Sequence, residues 1–217
     1  MQFWDGADTT GNGRVDGGAG TWGNFGSNWT TSDGSANGSW AGSVGIFAGT
    51  AGTVTVQGVQ SFDTLQFSTD GYRLEGDALK IAVAGGGTFN IDRDVTATIA
   101  SDIVDGAGSS LVKAGDGTLV LEGAKSYSGG TAINGGVLSV AADNSLGAAS
   151  GALSLNGGTL AATASFDSLR TVTLGTGGGF DVASGVTLGL QGSISGAGDL
   201  LKQGAGTLIL AGANAYG

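Results

Sequence analysis

A chain of 217 residues with 46 Gly, no Pro, no Cys and no His leaves few fold classes open. Its 40% hydrophobic content argues against disorder, and glycine at about 0.5–1 kcal/mol per interior helical position argues against sustained helix. A net charge of −10 with only 8 Lys and Arg, scattered singly, excludes a phosphate-binding stripe, so no nucleic-acid partner is expected, and an anionic membrane surface would repel the chain.

Residues 1–52 hold all four tryptophans (Trp4, Trp22, Trp29 and Trp40) among Asn, Ser, Asp and Gly. They are predicted to form an irregular N-terminal cap of loops and short strands. Trp22, Trp29 and Trp40 can be read in two ways. As exposed indoles they would stack on sugars in a carbohydrate-binding module; as buried ones they would cover the open hydrophobic edge of the fold, and this second reading is preferred. The string "DGADTTGNGRVDG" sets Asp5, Asp8, Asn12 and Asp16 around glycine turns, with oxygen ligands that suit calcium. Its spacing fails the EF-hand pattern and no Glu closes the loop, so self-capping turns are expected and no metal site is assigned.

Residues 53–217 read as short strands of alternating apolar and small or polar residues, divided by Gly or Asn-Gly: "TVTVQG", "GTFNID", "VTATIA", "GTLVLEG", "GVLSVAAD", "GTLILAG". The strands recur. "KAGDGTLVLEGAKSY" from Lys113 returns as "KQGAGTLILAGANAY" from Lys202, 89 residues on, and "GGTFNIDRDVTATI" from Gly86 returns as "GGGFDVASGVTLGL" from Gly177, 91 residues on. "INGGVL" at Ile133 and "LNGGTL" at Leu155 are 22 apart, so the longer echo is about four units. A period near 22 with two or three strands per unit predicts a parallel β-helix, one unit per rung. Leu119, Leu121, Leu138, Leu153, Leu155, Leu160, Leu188 and Leu208 are expected to point inward. A β-sandwich would lack the fixed period, and "GDGT" at Gly115–Thr118 only grazes the nonapeptide pattern of a calcium-binding roll. The pairs Thr53/Thr55, Thr96/Thr98 and Thr171/Thr173 do not recur on adjacent units as an ice-binding ladder would require.

Chemistry is sparse. Without His and Cys, a Ser-His-Asp triad, a Cys-His pair and the usual zinc or haem ligand sets are impossible within the chain. Asp92, Asp94, Asp102 and Asp105, with Arg93 between the first two, are the remaining candidates, as paired carboxylates of a polysaccharide-cleaving site. The corresponding positions of the second unit are Ala183, Gly185, Ser193 and Gly196, which favours solvated corners instead. No catalytic, cofactor-binding or metal residue is assigned, and no cofactor is expected.

The stretch "GAGSSLVKAGDGTLVLEGAKSYSGGTAINGGVLSV", Gly106 to Val140, resembles the autotransporter-associated β-strand repeat of Gram-negative bacteria. Leu111, Lys113, Gly115, Gly117, Thr118, Leu119, Leu121, Tyr127, Gly129, Gly130, Thr131, Gly135, Gly136 and Leu138 fit the family pattern. Lys125 stands where the pattern carries Asn, which Asn214 keeps in the second copy. The resemblance implies an all-β, right-handed parallel β-helix in a passenger domain displayed on the cell surface or secreted. A C-terminal translocator barrel in the full-length protein is implied with it. The lack of Cys suits a chain that must thread that barrel unlinked. The implied role is a stalk for display, adhesion or self-association. Its expected partners are a host surface, neighbouring passenger molecules, and glycans as a further class. A β-helical polysaccharide-active enzyme or a carbohydrate-binding module is the alternative. The solenoid is expected to be cut mid-repeat at "ANAYG", leaving a bare edge near residues 200–217 that favours association.

Overall fold

A computed structural model describes residues 1–106 and 108–217 as strands with one short 3-10 turn, Asp143–Leu146. The chain coils into a parallel β-solenoid of about eight turns. One face stacks Val44–Phe47, Thr64–Phe67, Gly87–Ile91, Leu111–Ala114 and Thr131–Ile133, then continues through the long strands Leu153–Ala162 and Val172–Val182 to Ile194–Gly196 and Ala215–Tyr216. A second face stacks Thr53–Gln57, Tyr72–Gly76, Thr96–Ile99, Thr118–Leu121 and Val137–Val140. It is completed by the far halves of the same two long strands and by Leu200–Gln203. A third carries Gln60–Phe62, Leu79–Ile81 and Ile103–Asp105 and, further along, Phe166–Ser168, Thr187–Leu190 and Thr207–Leu210. Register partners such as Thr64↔Thr88, Leu111↔Thr131, Thr131↔Leu153 and Leu153↔Val172 put 19 to 24 residues in a rung.

Alternation in sequence becomes in-and-out alternation in space, because successive side chains of a strand leave opposite faces. Within Thr118–Leu121 the leucines are buried while Thr118 and Val120 are half-exposed. Parallel register then forces like over like. Val54, Leu74, Ile99, Leu121, Val140, Ala162 and Val182 form one interior column, each beside its neighbour in the next rung. Ala97, Leu119, Leu138, Leu160 and Phe180 form another. All of these are buried. Of the leucines expected to face inward, Leu208 differs in degree: it packs on the core and stays half-buried.

Glycine supplies the corners. Gly115 sits at φ 76°, and a Cβ there would run into the Ile91 carbonyl of the rung below. At Gly117 the obstruction is the Asp92 carbonyl, so both motif glycines are set by the closeness of stacked backbones. At the N-terminal end the direction changes. Gln2–Trp4 pairs in parallel with Val44–Phe47 and, on its other side, antiparallel with Trp29–Thr30, which pairs antiparallel with Asn37–Gly38.

Inward and outward positions of one strand therefore differ in energetic weight. Leu119→Ala is expected to cost about 2–5 kcal/mol by opening a cavity between Ala97 and Leu138. Val120→Ala, one residue away on the outer surface, should cost under about 1 kcal/mol. Urea denaturation of both variants checks the assignment; equal losses would refute it.

Candidate functional site

The tryptophans pack together at the N-terminal end. Trp4, Trp22 and Trp29 are at most 2% exposed and Trp40 is half-buried. Trp22 meets Trp29 edge-on at 5.0 Å and Trp40 at 5.2 Å, and Trp29 lies against Phe47 at 5.5 Å. Phe47 in turn stacks on Phe67 at 4.6 Å, carrying the cluster into the column below. Trp4 Nε1 donates to the Gly18 carbonyl at 2.8 Å and Trp40 Nε1 to that of Ser61 at 2.6 Å. Trp4, Trp22 and Trp29 are too deeply buried to stack on a sugar, and the half-buried Trp40 ring packs against Trp22 and Trp29.

The acidic string closes on itself through amides. Asn12 Nδ2 donates to Asp8 at 2.9 Å and to Asp16 at 2.7 Å, while buried Asp5 accepts from the Asp16 backbone at 2.8 Å and from Asn37 Nδ2 at 2.9 Å. These are side-chain-capped turns. Among the described residues, no cluster of three or more His, Cys, Asp or Glu side chains suits a metal.

Three of the four candidate catalytic acids are engaged separately, and the fourth points to solvent. Asp92 accepts from Gln66 Nε2 at 3.2 Å, and Asp94 is an exposed corner residue at φ 62°. Asp102 caps Ser126 on the next rung, with the backbone N–H at 3.0 Å and the hydroxyl at 2.8 Å; Asp105 does the same for Ser128 at 2.8 and 2.7 Å. Burial would raise the Asp105 carboxyl, but the Ser128 amide and hydroxyl and the Ser109 and Gly108 amides outweigh it and hold it low. Arg93 pairs with Asp116 at 2.8 Å. The partners found for Asp92, Asp102 and Asp105 are amide and hydroxyl groups, not the second carboxylate that glycoside cleavage requires.

Three buried cations, Lys113, Lys125 and Arg170, are the unexpected features. Lys113 lies in an interior column between Phe89 and Ile133 and is fully buried. Its ammonium donates to the carbonyls of Ala114 at 2.9 Å, Gly115 at 2.8 Å and, one rung on, Gly135 at 3.1 Å, which accounts for its three protons. Burial lowers its pKa to about 8, partly offset by Asp116. Arg170, 3% exposed, pairs with Asp143 through Nε at 2.9 Å and an Nη at 3.1 Å. Its remaining N–H groups donate to the carbonyls of Asp143, Gly147, Ala148 and Gly151 at 2.7–3.1 Å. The guanidinium thus fastens the 3-10 turn and the loop after it to the next rung, a fork that Lys cannot reproduce.

The sequence carried a signal for Lys113. In "LVKAG", alternation from inward Leu111 puts Lys113 inward too. Nothing local flagged Arg170, whose partners lie 19 to 27 residues back. The departure at Lys125 has its own solution. Asn214 of the second copy accepts from the Ile194 N–H at 3.0 Å, whereas Lys125 sends its ammonium to the Glu122 carbonyl and is pushed down to about 8 by burial, with Asp102 and Glu122 opposing.

The spacing that places Lys113 and Gly115 is shared with known proteins. The family model described as Passenger-associated-transport-repeat matches residues 111–140 and 200–217. The chain is also 43% identical over 229 aligned positions to a protein named Adhesin BmaC autotransporter, from Brucella suis biovar 1 (strain 1330). This chain is autotransporter passenger sequence. The alignment covers 98% of it and spans 7% of the length of that relative. No solved structure matches the passenger segment.

Both passenger repeats place a lysine beside a phenylalanine of the preceding rung, Lys113 on Phe89 and Lys202 on Phe180. The environments differ: Lys202 is more exposed and donates to two carbonyls, those of Gln203 and Gly204. Lys113→Met should therefore cost about 1–3 kcal/mol at pH 7 by stranding carbonyls, and Lys202→Met less than about 1 kcal/mol. Because the folded pKa of Lys113 is depressed, the unfolded chain holds a proton between about pH 8 and the ordinary 10.5 that the folded one has lost. Wild-type stability should rise relative to Lys113→Met through that window and the difference should be smallest below pH 8. Denaturant titrations at pH 7 and pH 10 check the sign.

Proposed function

We propose that this chain is a stiff, non-catalytic stalk segment of a surface-displayed or secreted passenger in a Gram-negative bacterium. Residues 1–52 act as its cap and residues 53–217 as the repeating shaft, with a translocator barrel elsewhere in the full-length protein. The observation that carries this reading is the unbroken parallel register from Val44–Phe47 to Ala215–Tyr216. A shaft so paired resists bending because rung is hydrogen-bonded to rung along two continuous faces.

Adhesion is supported by the outer surface of the same face. Val44, Thr64, Thr88, Val112, Ala132, Ser154, Thr173, Ser195 and Ala215 follow one another in register, and none is charged. At about 4.8 Å per rung the stripe runs for about 38 Å. On a molecule of net charge −10, such a strip allows contact with another surface without ion-pair desolvation or like-charge repulsion. The enzyme reading has no comparable support, since three of its four acids are separately engaged by Gln66, Ser126 and Ser128 and Asp94 stands exposed at a corner.

Beads coated with the folded chain should bind epithelial monolayers several-fold above beads coated with the Leu119→Asp variant, in which a charge buried in the column unfolds the shaft. Equal binding by the two would remove the stalk reading. Incubation with neutral and acidic polysaccharides, model esters and casein should yield no turnover. Product that disappears in the Asp92→Asn, Asp94→Asn double variant would return the acids to a catalytic role.

A further inference from the structure

The tight turn Gly23–Gly26 carries Phe25 at its tip, fully exposed at 102%, while every other aromatic of the N-terminal region turns inward or is half-covered. Phe25 stands over a half-open cleft of about 450 Å³ between this turn and the corner Gln57–Gly58. That volume lies within the range of small-ligand sites.

The cleft is a firmly held feature. Gln60, 3% exposed, donates through Nε2 to Asn24 Oδ1 at 2.7 Å and to the Gln57 carbonyl at 2.9 Å, which ties the two walls together. Asn28, 9% exposed, is fixed by its Nδ2 donating to the Gly6 carbonyl at 2.7 Å. Glycines keep the space between the walls open. A Cβ at Gly26 would stand 2.6 Å from Asn28 Oδ1, one at Gly58 3.1 Å from Asn24 Nδ2, and one at Gly23 3.3 Å from Gln57 Oε1. The lining therefore presents amide groups around one phenyl ring: Asn24 Nδ2, Asn28 Oδ1 and the Gln57 amide, none of them engaged by another side chain among the described residues.

The composition of this lining selects a ligand class. It contains no Lys, Arg, Asp or Glu, so nothing compensates a phosphate, a carboxylate or an ammonium, and the net charge of −10 repels anions. Phe25 is its one large apolar side chain, too little to desolvate the apolar anchors of a peptide motif. A carboxamide offers a donor and an acceptor side by side, which matches vicinal hydroxyls, and an exposed ring offers a flat face to the C–H side of a pyranose. We propose that the Phe25 cleft is a binding subsite for neutral saccharides, with Phe25 as stacking platform and Asn24, Asn28 and Gln57 as hydroxyl readers. The adhesive reading of the stalk supplies the biological use of such a subsite; the binding itself does not depend on it.

The test is saturation-transfer and chemical-shift NMR on the whole 217-residue chain. The probes are glucose, galactose, mannose and N-acetylglucosamine with their short oligomers, and sialyllactose and a hydrophobic hexapeptide as contrasts. At least one neutral saccharide should perturb the Phe25 resonances. Phe25→Ala should weaken its binding at least tenfold with an unchanged melting temperature, since the ring buries nothing in the fold. Phe25→Tyr should retain binding and Gln57→Ala should weaken it. Failure of every neutral saccharide, binding unaffected by Phe25→Ala, or preference for the peptide or for sialyllactose would each overturn the proposal. Bead adhesion of the Phe25→Ala chain is read separately. Adhesion that survives while saccharide binding is lost leaves the stalk reading intact with its contacts elsewhere. Wild-type beads that fail to adhere defeat the stalk reading without touching the saccharide result.

Discussion

A parallel ladder gives each backbone N–H and C=O of a rung a partner in the rung above or below, and in exchange it fixes register. Because strand side chains alternate with period two, a slip of one residue would send a whole inward set to the solvent. The ladder therefore demands that Leu119, Leu138, Leu160 and Phe180 fall at the same place in successive rungs, although 19 to 22 residues separate them. Variation in rung length is confined to corners, where the chain turns on glycine. Absence of proline follows from the same demand, since each interior N–H of a rung is needed in a ladder.

Burial in such columns is strong in aggregate but imposes a cost at corners, where carbonyls turn inward or away from the ladder. An unsatisfied buried carbonyl costs about 1–3 kcal/mol. Lys113 and Arg170 answer this locally: one ammonium serves three carbonyls, and one guanidinium serves four carbonyls and a carboxylate. Tyr72 acts similarly near the N-terminal end, its hydroxyl donating toward the Ala48 and Thr50 carbonyls at 2.7 Å and accepting from the Gly18 N–H at 3.2 Å, with burial pushing its pKa up to about 12. Each joins segments distant in sequence. Each also ties the fold to one register, because a displaced rung would leave the buried polar group without partners.

The architecture was legible because its signal is repeated. Strands of four residues are individually ambiguous, but "INGGVL" and "LNGGTL" 22 residues apart, and Lys113 echoed by Lys202, fix a period that few folds share. Burial of Leu121 and Leu188 followed from alternation alone. Surface chemistry was less legible. The tryptophans stood out by residue type, yet burial decided their role, and burial there depends on the antiparallel return of Trp29–Thr30 that no local pattern announces. Phe25 drew no attention for the opposite reason: "NFG" reads as an ordinary turn, and only the position of Gln60, 35 residues further on, shows that the turn forms one wall of a held cleft.

Stability resides in neighbouring rungs held in register, so the most direct test removes one rung whole. Val172 and Ile194 are register partners, so deleting residues 172–193 should bring Ile194 beside Leu153, Lys202 beside Leu160 and Leu208 beside Phe166. The Arg170 clamp is left in place. Circular dichroism with urea titration should show this shortened chain retaining its sheet signal and a single cooperative transition at somewhat lower denaturant. Deleting residues 172–182 alone, half a rung, should abolish cooperative folding of the C-terminal part. If the whole-rung deletion is as disruptive as the half-rung deletion, the rungs are not interchangeable stacked units.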